Sequence, residues 1–100
     1  MEKITKAELV EEVYQSTNLP KNEISLIADS LLMEIKNALC KGSSIELRKF
    51  GTFELRLRKG RKNSRNPKTG KLVQVEPHYV VAFRAGKELK EKIWKIEPEK

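Results

Sequence analysis

Cysteine occurs once in the 100 residues, at Cys40, and histidine once, at His78. No intrachain disulfide can form, and one thiol with one imidazole is no zinc-ligand set, so covalent and metal staples are excluded as sources of stability. No apolar run approaches the ~18 residues of a membrane span, and Met1-Glu2-Lys3-Ile4-Thr5 lacks the apolar core of a signal peptide. A cytoplasmic location and no membrane partner are expected. Paired carboxylates of the kind a hydrolase or nuclease needs are also missing, because Glu46 and Glu54 stand isolated among cations. Neither an enzyme activity nor a cofactor is expected.

One hundred residues with 38% apolar content suffice for a single domain spanning 1–100. A domain of this size buries only roughly 60 to 65% of the surface its unfolded chain exposes. With staples excluded, oligomerisation is the expected support. The balance of 21 Lys and Arg against 14 Asp and Glu leaves +7, which points to a polyanionic partner.

The hydrophobic pattern changes period once along the chain. Thr5-Lys6-Ala7-Glu8 fits a capping box, with Ile4 and Leu9 placed as a hydrophobic staple. A helix is predicted from about Thr5, with Leu9, Val10, Val13 and Tyr14 as its apolar stripe, ending in Ser16-Thr17-Asn18-Leu19-Pro20. Ile24, Ile27, Ala28, Leu31, Leu32, Ile35 and Leu39 then recur at helical spacing up to Lys41-Gly42, where glycine supplies the left-handed cap. From Ser44 the period is two. Ile45 and Leu47 alternate with Glu46 and Arg48; after Phe50-Gly51, Phe53, Leu55 and Leu57 alternate with Glu54, Arg56 and Arg58. Val73, Val75, Val81 and Phe83 form a third strand segment, broken by Pro77, which cannot donate to a ladder. Lys87 to Trp94 reads as a short last helix with Leu89 and Ile93 facing in. The fold class is α+β: an N-terminal helical hairpin, a three-stranded antiparallel sheet with a long protruding β-ribbon arm at about 56–78, and a short C-terminal helix. Residues 97–100 read as a frayed tail.

Residues 56–71 contain eight cations, Arg56, Arg58, Lys59, Arg61, Lys62, Arg65, Lys68 and Lys71, and no acidic residue. Without them the chain holds 13 Lys and Arg against 14 Asp and Glu, so the whole charge excess lies in this run. Such a run in isolation reads as a solvated tail. Alternating strands enter and leave it, however, and Asn66-Pro67-Lys68-Thr69-Gly70 has turn chemistry, which makes it a ribbon. From Arg56 to Asn66, at roughly 3.3 Å per residue, the arm would reach about 35 Å, more than the width of a DNA duplex. Its cations would neutralise phosphates, the sequence-independent part of nucleic-acid affinity. Pro67 has two readings, a conformational turn residue or a rigid apolar wedge between base pairs, and spacing alone does not choose.

Three segments, Gly51-Thr52-Phe53, Arg65-Asn66-Pro67-Lys68-Thr69-Gly70 and Phe83-Arg84-Ala85-Gly86-Lys87-Glu88-Leu89-Lys90, resemble the signature segments of the HU and integration host factor family, in family order over about Lys3 to Trp94. The resemblance implies an intertwined dimer, with itself or with a paralogous chain, that bends double-stranded DNA, compacts the bacterial chromosome in the nucleoid and reads few base edges. By position, Pro67 matches the family's intercalating residue, and Arg65 and Asn66 match its minor-groove contacts. Lys3, Arg84 and Lys87 match phosphate contacts on the body, and Gly86 would open the last helix with amides facing a phosphate. Arg48 and Lys49 are further body contacts. The stretch between Phe53 and Arg65 is one residue longer than in the commonest members, and Ser64 stands where glycine is usual. A bulge near Gly60 would absorb the extra residue.

Trp94 reads as a core or dimer contact, Phe50, Phe53 and Phe83 as core rather than a stacking trio, Cys40 as a small buried apolar residue, and His78 as a surface or DNA-flank residue. RNA is the secondary partner, since a basic hairpin also suits structured RNA.

Overall fold

The computed structural model describes residues 2–66 and 68–98, and the side chains of all of these except 61–65 and 73. The expected wedge Pro67 and the tail residues Glu99 and Lys100 lie outside the described residues. The elements in order are α1 (Lys6–Thr17), α2 (Lys21–Cys40), β1 (Ile45–Leu47), β2 (Gly51–Arg58), β3 (Arg61–Arg65), β4 (Leu72–Val75), β5 (His78–Ala85) and α3 (Lys87–Trp94). They group into two compact units, Met1–Asn37 and Ala38–Lys100.

In the first unit, the Thr5 hydroxyl accepts from the Glu8 N–H at 3.4 Å, satisfying one orphan donor of α1. The Glu8 carboxylate meets the Thr5 hydroxyl, also at 3.4 Å, rather than reaching the Thr5 backbone as a full capping box would. Asn18 ends α1 in the left-handed conformation (φ 60°), and its N–H donates to the Tyr14 carbonyl at 2.8 Å. The stop is therefore set by Asn18, two residues before Pro20. Ion pairs Lys6–Asp29 (2.6 Å) and Lys21–Glu11 link α1 to α2, and the Lys21 ammonium lies 5.1 Å from the centre of the Tyr14 ring. The hydrogen bond from Lys21 holds the Glu11 carboxyl below its ordinary range, so this link is lost as pH falls through that lowered value. Both side chains are about half exposed, so solvent screens the pair and it adds little to stability.

In the second unit, Gly42 (φ 90°) closes α2 as predicted: its N–H donates to the Leu39 carbonyl at 3.0 Å, and the Ser43 N–H to the Ala38 carbonyl at 3.0 Å. An antiparallel sheet of order β1-β2-β5 follows. Phe53 lies opposite Phe83, Leu55 opposite Val81 and Leu57 opposite Tyr79, which gives one apolar face. Thr52, Glu54, Arg56 and Arg58 lie opposite Arg84, Ala82, Val80 and His78, which gives the polar face. The ring of Phe83 is 5.0 Å from that of Phe53 and 5.2 Å from that of Phe50, centre to centre.

The apolar faces are formed but not covered. Among the described residues only Ile24 and Gly51 are buried. Leu31 on the α2 stripe is 56% exposed, and Tyr79, Val81 and Phe83 on the sheet are exposed too. Cys40, expected to be buried, is exposed at the end of α2, because Leu55, Tyr79 and Val81 line the same open depression instead of closing over it.

Candidate nucleic-acid interface

The basic run is a ribbon. β3 and β4 pair antiparallel as a separate two-stranded sheet, joined to β2 and β5 through Lys59-Gly60 and Glu76-Pro77. The register of the ribbon shifts once: Arg61 opposes Val75 and Ser64 opposes Val73, so three steps on β3 match two on β4. The bulge expected near Gly60 therefore falls just beyond it, between Arg61 and Ser64. Gly60 has another task. A Cβ there would collide with the Val75 carbonyl oxygen and lie 2.9 Å from the Pro77 nitrogen, so only glycine lets the strands approach at the arm's root.

The tip is closed by its own polar groups. The Asn66 N–H donates to the Lys71 carbonyl at 2.8 Å, and the Gly70 N–H to the Asn66 carbonyl at 2.7 Å. The Asn66 side-chain oxygen accepts from the Lys68 N–H at 2.9 Å, an Asx turn, and Gly70 takes φ 69°. Asn66 thus holds the turn that presents Arg65 and Lys68.

The cations are not equivalent. Arg56 extends from β2, but its guanidinium already pairs with Glu54 at 3.0 Å on the same strand face. The i, i+2 spacing of Glu54 and Arg56 was sufficient to foresee this. Arg58, Lys59, Lys68 and Lys71 are exposed; Arg61, Lys62 and Arg65 are placed in β3 by their backbone. His78, exposed at the root opposite Arg58, has Nδ1 2.9 Å from the Glu76 carbonyl oxygen.

On the body, Arg48, Lys49, Gly86 and Lys87 line one recess together with Glu88 and Glu91. Arg84 is exposed beside it, opposite Thr52 on the polar face of the sheet. Lys3 belongs to the first unit, exposed in the segment leading into α1. Gly86 is the N-cap of α3, but its own N–H donates to the Phe50 carbonyl at 2.8 Å. Its carbonyl accepts from Lys90. The orphan amides at this helix start are therefore those after Gly86, not that of Gly86 itself. Lys49 has φ 67° at the third position of the Leu47–Phe50 turn, which the Phe50 N–H closes onto the Leu47 carbonyl at 3.0 Å. A left-handed lysine costs about 1 kcal/mol or more. Lys49→Gly is expected to leave stability unchanged or raise it by up to about 1 kcal/mol while weakening DNA binding, read by thermal melting and duplex titration. Unchanged binding would remove Lys49 from the interface.

The family model described as bacterial DNA-binding protein matches residues 4–94. The chain belongs to the HU and integration host factor family. It is 43% identical over 90 residues to integration host factor subunit alpha of Paramagnetospirillum magneticum, covering 90% of this chain and 84% of that one. It is 40% identical over 92 residues to DNA-binding protein HU of Thermus thermophilus, covering 92% and 94%. Among solved structures, an Anabaena HU–DNA cocrystal structure matches with TM-score 0.84 and 34% identity, over 93% of this chain and 100% of that one. Membership accounts for the order of elements and for the sheet beneath the ribbon. Trp94, read as a core or dimer contact, has no core role within the single chain, where it is 82% exposed.

Proposed function

We propose that the chain is an architectural protein that binds double-stranded DNA as a dimer, grips it with two basic ribbons and bends it in the nucleoid. The observation that carries this reading is the confinement of the whole charge excess to residues 56–71, which fold into a ribbon closed by an Asx turn. Phosphate neutralisation by Arg58, Lys59, Arg61, Lys62, Lys68 and Lys71 supplies affinity without a sequence code. Arg56 contributes less, because a phosphate must displace Glu54. Arg65 and the amide donors of Asn66 enter the minor groove, and Pro67, by its position in the family motif, wedges a base step and kinks the helix. Arg48, Lys49, Arg84, Lys87 and Lys3 hold phosphates against the body, with the amides following Gly86 opening α3 toward one of them.

A dimer is supported by the surface. On α2, Leu31 and Leu32 are each 56% exposed, and on the sheet Tyr79, Val81 and Phe83 are exposed too, so each unit carries an apolar face of the kind that obligate partners cover. A second copy covers the α2 stripe and the Phe53-Phe83 face, and residues 1–100 act as one domain within that assembly. Preference among DNA sites then arises from the energy of deforming them rather than from base-edge hydrogen bonds.

Competition between an intact random duplex, a nicked or pre-bent duplex and structured RNA of equal length tests this. The nicked or bent duplex is expected to compete best, because its deformation is already made. Equal competition by RNA would replace the DNA-bending reading with general polyanion binding.

A further inference from the structure

The polar face of the β1-β2-β5 sheet runs from the body to the root of the arm. Its cross-strand pairs, in order, are Thr52–Arg84, Glu54–Ala82, Arg56–Val80 and Arg58–His78. Arg84 ends the face at the body, and the Arg56 guanidinium is tied to Glu54. Over the roughly 20 Å of β5 from Arg84 to His78, the groups of this face able to meet a polyanion are therefore concentrated at its far end. There Arg58 and His78 are both exposed, their Cβ atoms about 5 Å apart across the strands. A carbonyl oxygen only accepts, so the 2.9 Å contact between His78 Nδ1 and the Glu76 carbonyl fixes a proton on Nδ1. In the neutral ring Nε2 is then a bare lone pair on the opposite edge, which repels a phosphate oxygen. A second proton turns it into a charged donor.

We propose that His78 couples DNA binding to proton uptake: Nε2 takes a proton from solvent as it meets a backbone phosphate held beside Arg58. This rests on the DNA-binding reading above and adds to it one residue and one proton. The charged groups around the ring are Arg58 directly across on β2 and Arg56 one pair further along the same face, with Glu76 and Lys59 beside it at the root. No ion pair to the ring forms among the described residues, so no carboxylate already holds Nε2 charged. A phosphate brought beside the ring favours the imidazolium, as an opposite charge within about 4 to 6 Å does. The step balances: an Nε2–H bond forms with a proton from water or buffer, no other bond breaks, and one imidazolium answers one phosphate charge. A group that holds its proton more firmly in the complex than in the free protein favours the complex at low pH, and that gain is lost as pH rises. His78 is the only histidine, and histidine is the side chain whose ordinary range falls between about pH 5 and 8.

A labelled duplex is titrated by anisotropy at about pH 6 and about pH 8 at fixed ionic strength, and calorimetry near pH 7 in two buffers of different ionisation enthalpy counts the protons taken up. Affinity is expected to be several-fold higher at the lower pH for each arm engaged. The salt slope there is expected to be steeper by up to about 0.9 per arm, because each imidazolium neutralises one phosphate. His78→Gln is expected to abolish the uptake and keep the weaker affinity at both pH values. His78→Lys is expected to keep the stronger affinity at both. Uptake that persists undiminished in His78→Gln places the proton elsewhere and overturns the coupling while leaving the DNA-binding reading intact. A binding equilibrium that takes up no proton overturns it as well, as does a pH-dependent affinity with an unchanged salt slope, since that proton meets no phosphate. Failure of the duplex to bind at either pH overturns the DNA-binding reading and the coupling with it.

Discussion

Raising monovalent salt from about 50 to about 200 mM is expected to weaken duplex binding by about 10³-fold or more, the loss that accompanies six or more phosphate contacts. The size of this effect follows from where the charge lies. Outside residues 56–71 the chain carries 13 Lys and Arg against 14 Asp and Glu, so little affinity comes from a diffuse positive field. Eight cations on each arm are the source, and each phosphate they neutralise adds about 0.9 to the slope of log affinity against log salt. The slope is expected to be the same for unrelated duplex sequences, since no base edge is needed to release a counterion. Filter binding or anisotropy across a salt series measures it. A flat response would mean that the ribbons are not the grip.

The second large effect concerns assembly. Leu31→Asp is expected to prevent the folded dimer from forming. In the isolated chain Leu31 is 56% exposed, and a substitution at a site of that kind shifts stability by only about 0.5 kcal/mol. Inside a shared core the same change removes a leucine, worth about 2 to 5 kcal/mol, and buries a carboxylate without a partner. Together these approach the entire stability of a small protein, about 5 to 15 kcal/mol. The two outcomes are thus well separated. Sedimentation and thermal melting at two protein concentrations distinguish them: the unmodified protein is expected to melt higher at higher concentration, as mass action requires of a dimer. A Leu31→Asp protein that melts as the unmodified one does would place the α2 stripe outside any interface.

Most of the architecture was legible because the period of the apolar residues is tied to backbone geometry. The three- and four-residue spacing of Ile24 to Leu39 and the alternation of Phe53, Leu55 and Leu57 admit few alternatives. Gly42 was legible as a cap because its position after Leu39 and Cys40 leaves a left-handed residue to close the last turn. Features that depend on pairing across the chain were harder to read. The bulge could be inferred from arm length but not placed, since its position is set by which β4 residues Arg61 and Ser64 oppose. The bond from the Gly86 N–H to the Phe50 carbonyl joins positions 36 residues apart, and no local pattern reports it. The exposure of Cys40 has a related cause. Residue type reports average burial, whereas the faces around Cys40 stay open in the single chain. Trp94 differs, because helical geometry alone sets it apart from Leu89.

The arms are expected to bend the duplex as well as hold it. The direct measurement is energy transfer between donor and acceptor dyes at the two ends of one duplex, titrated to saturation with the protein at low salt. Transfer is expected to rise as the ends approach, and Pro67→Ala is expected to bind with nearly unchanged affinity while giving a clearly smaller rise. Saturated binding with no change in transfer would contradict the account, and an undiminished rise with Pro67→Ala would reduce Pro67 to a turn residue.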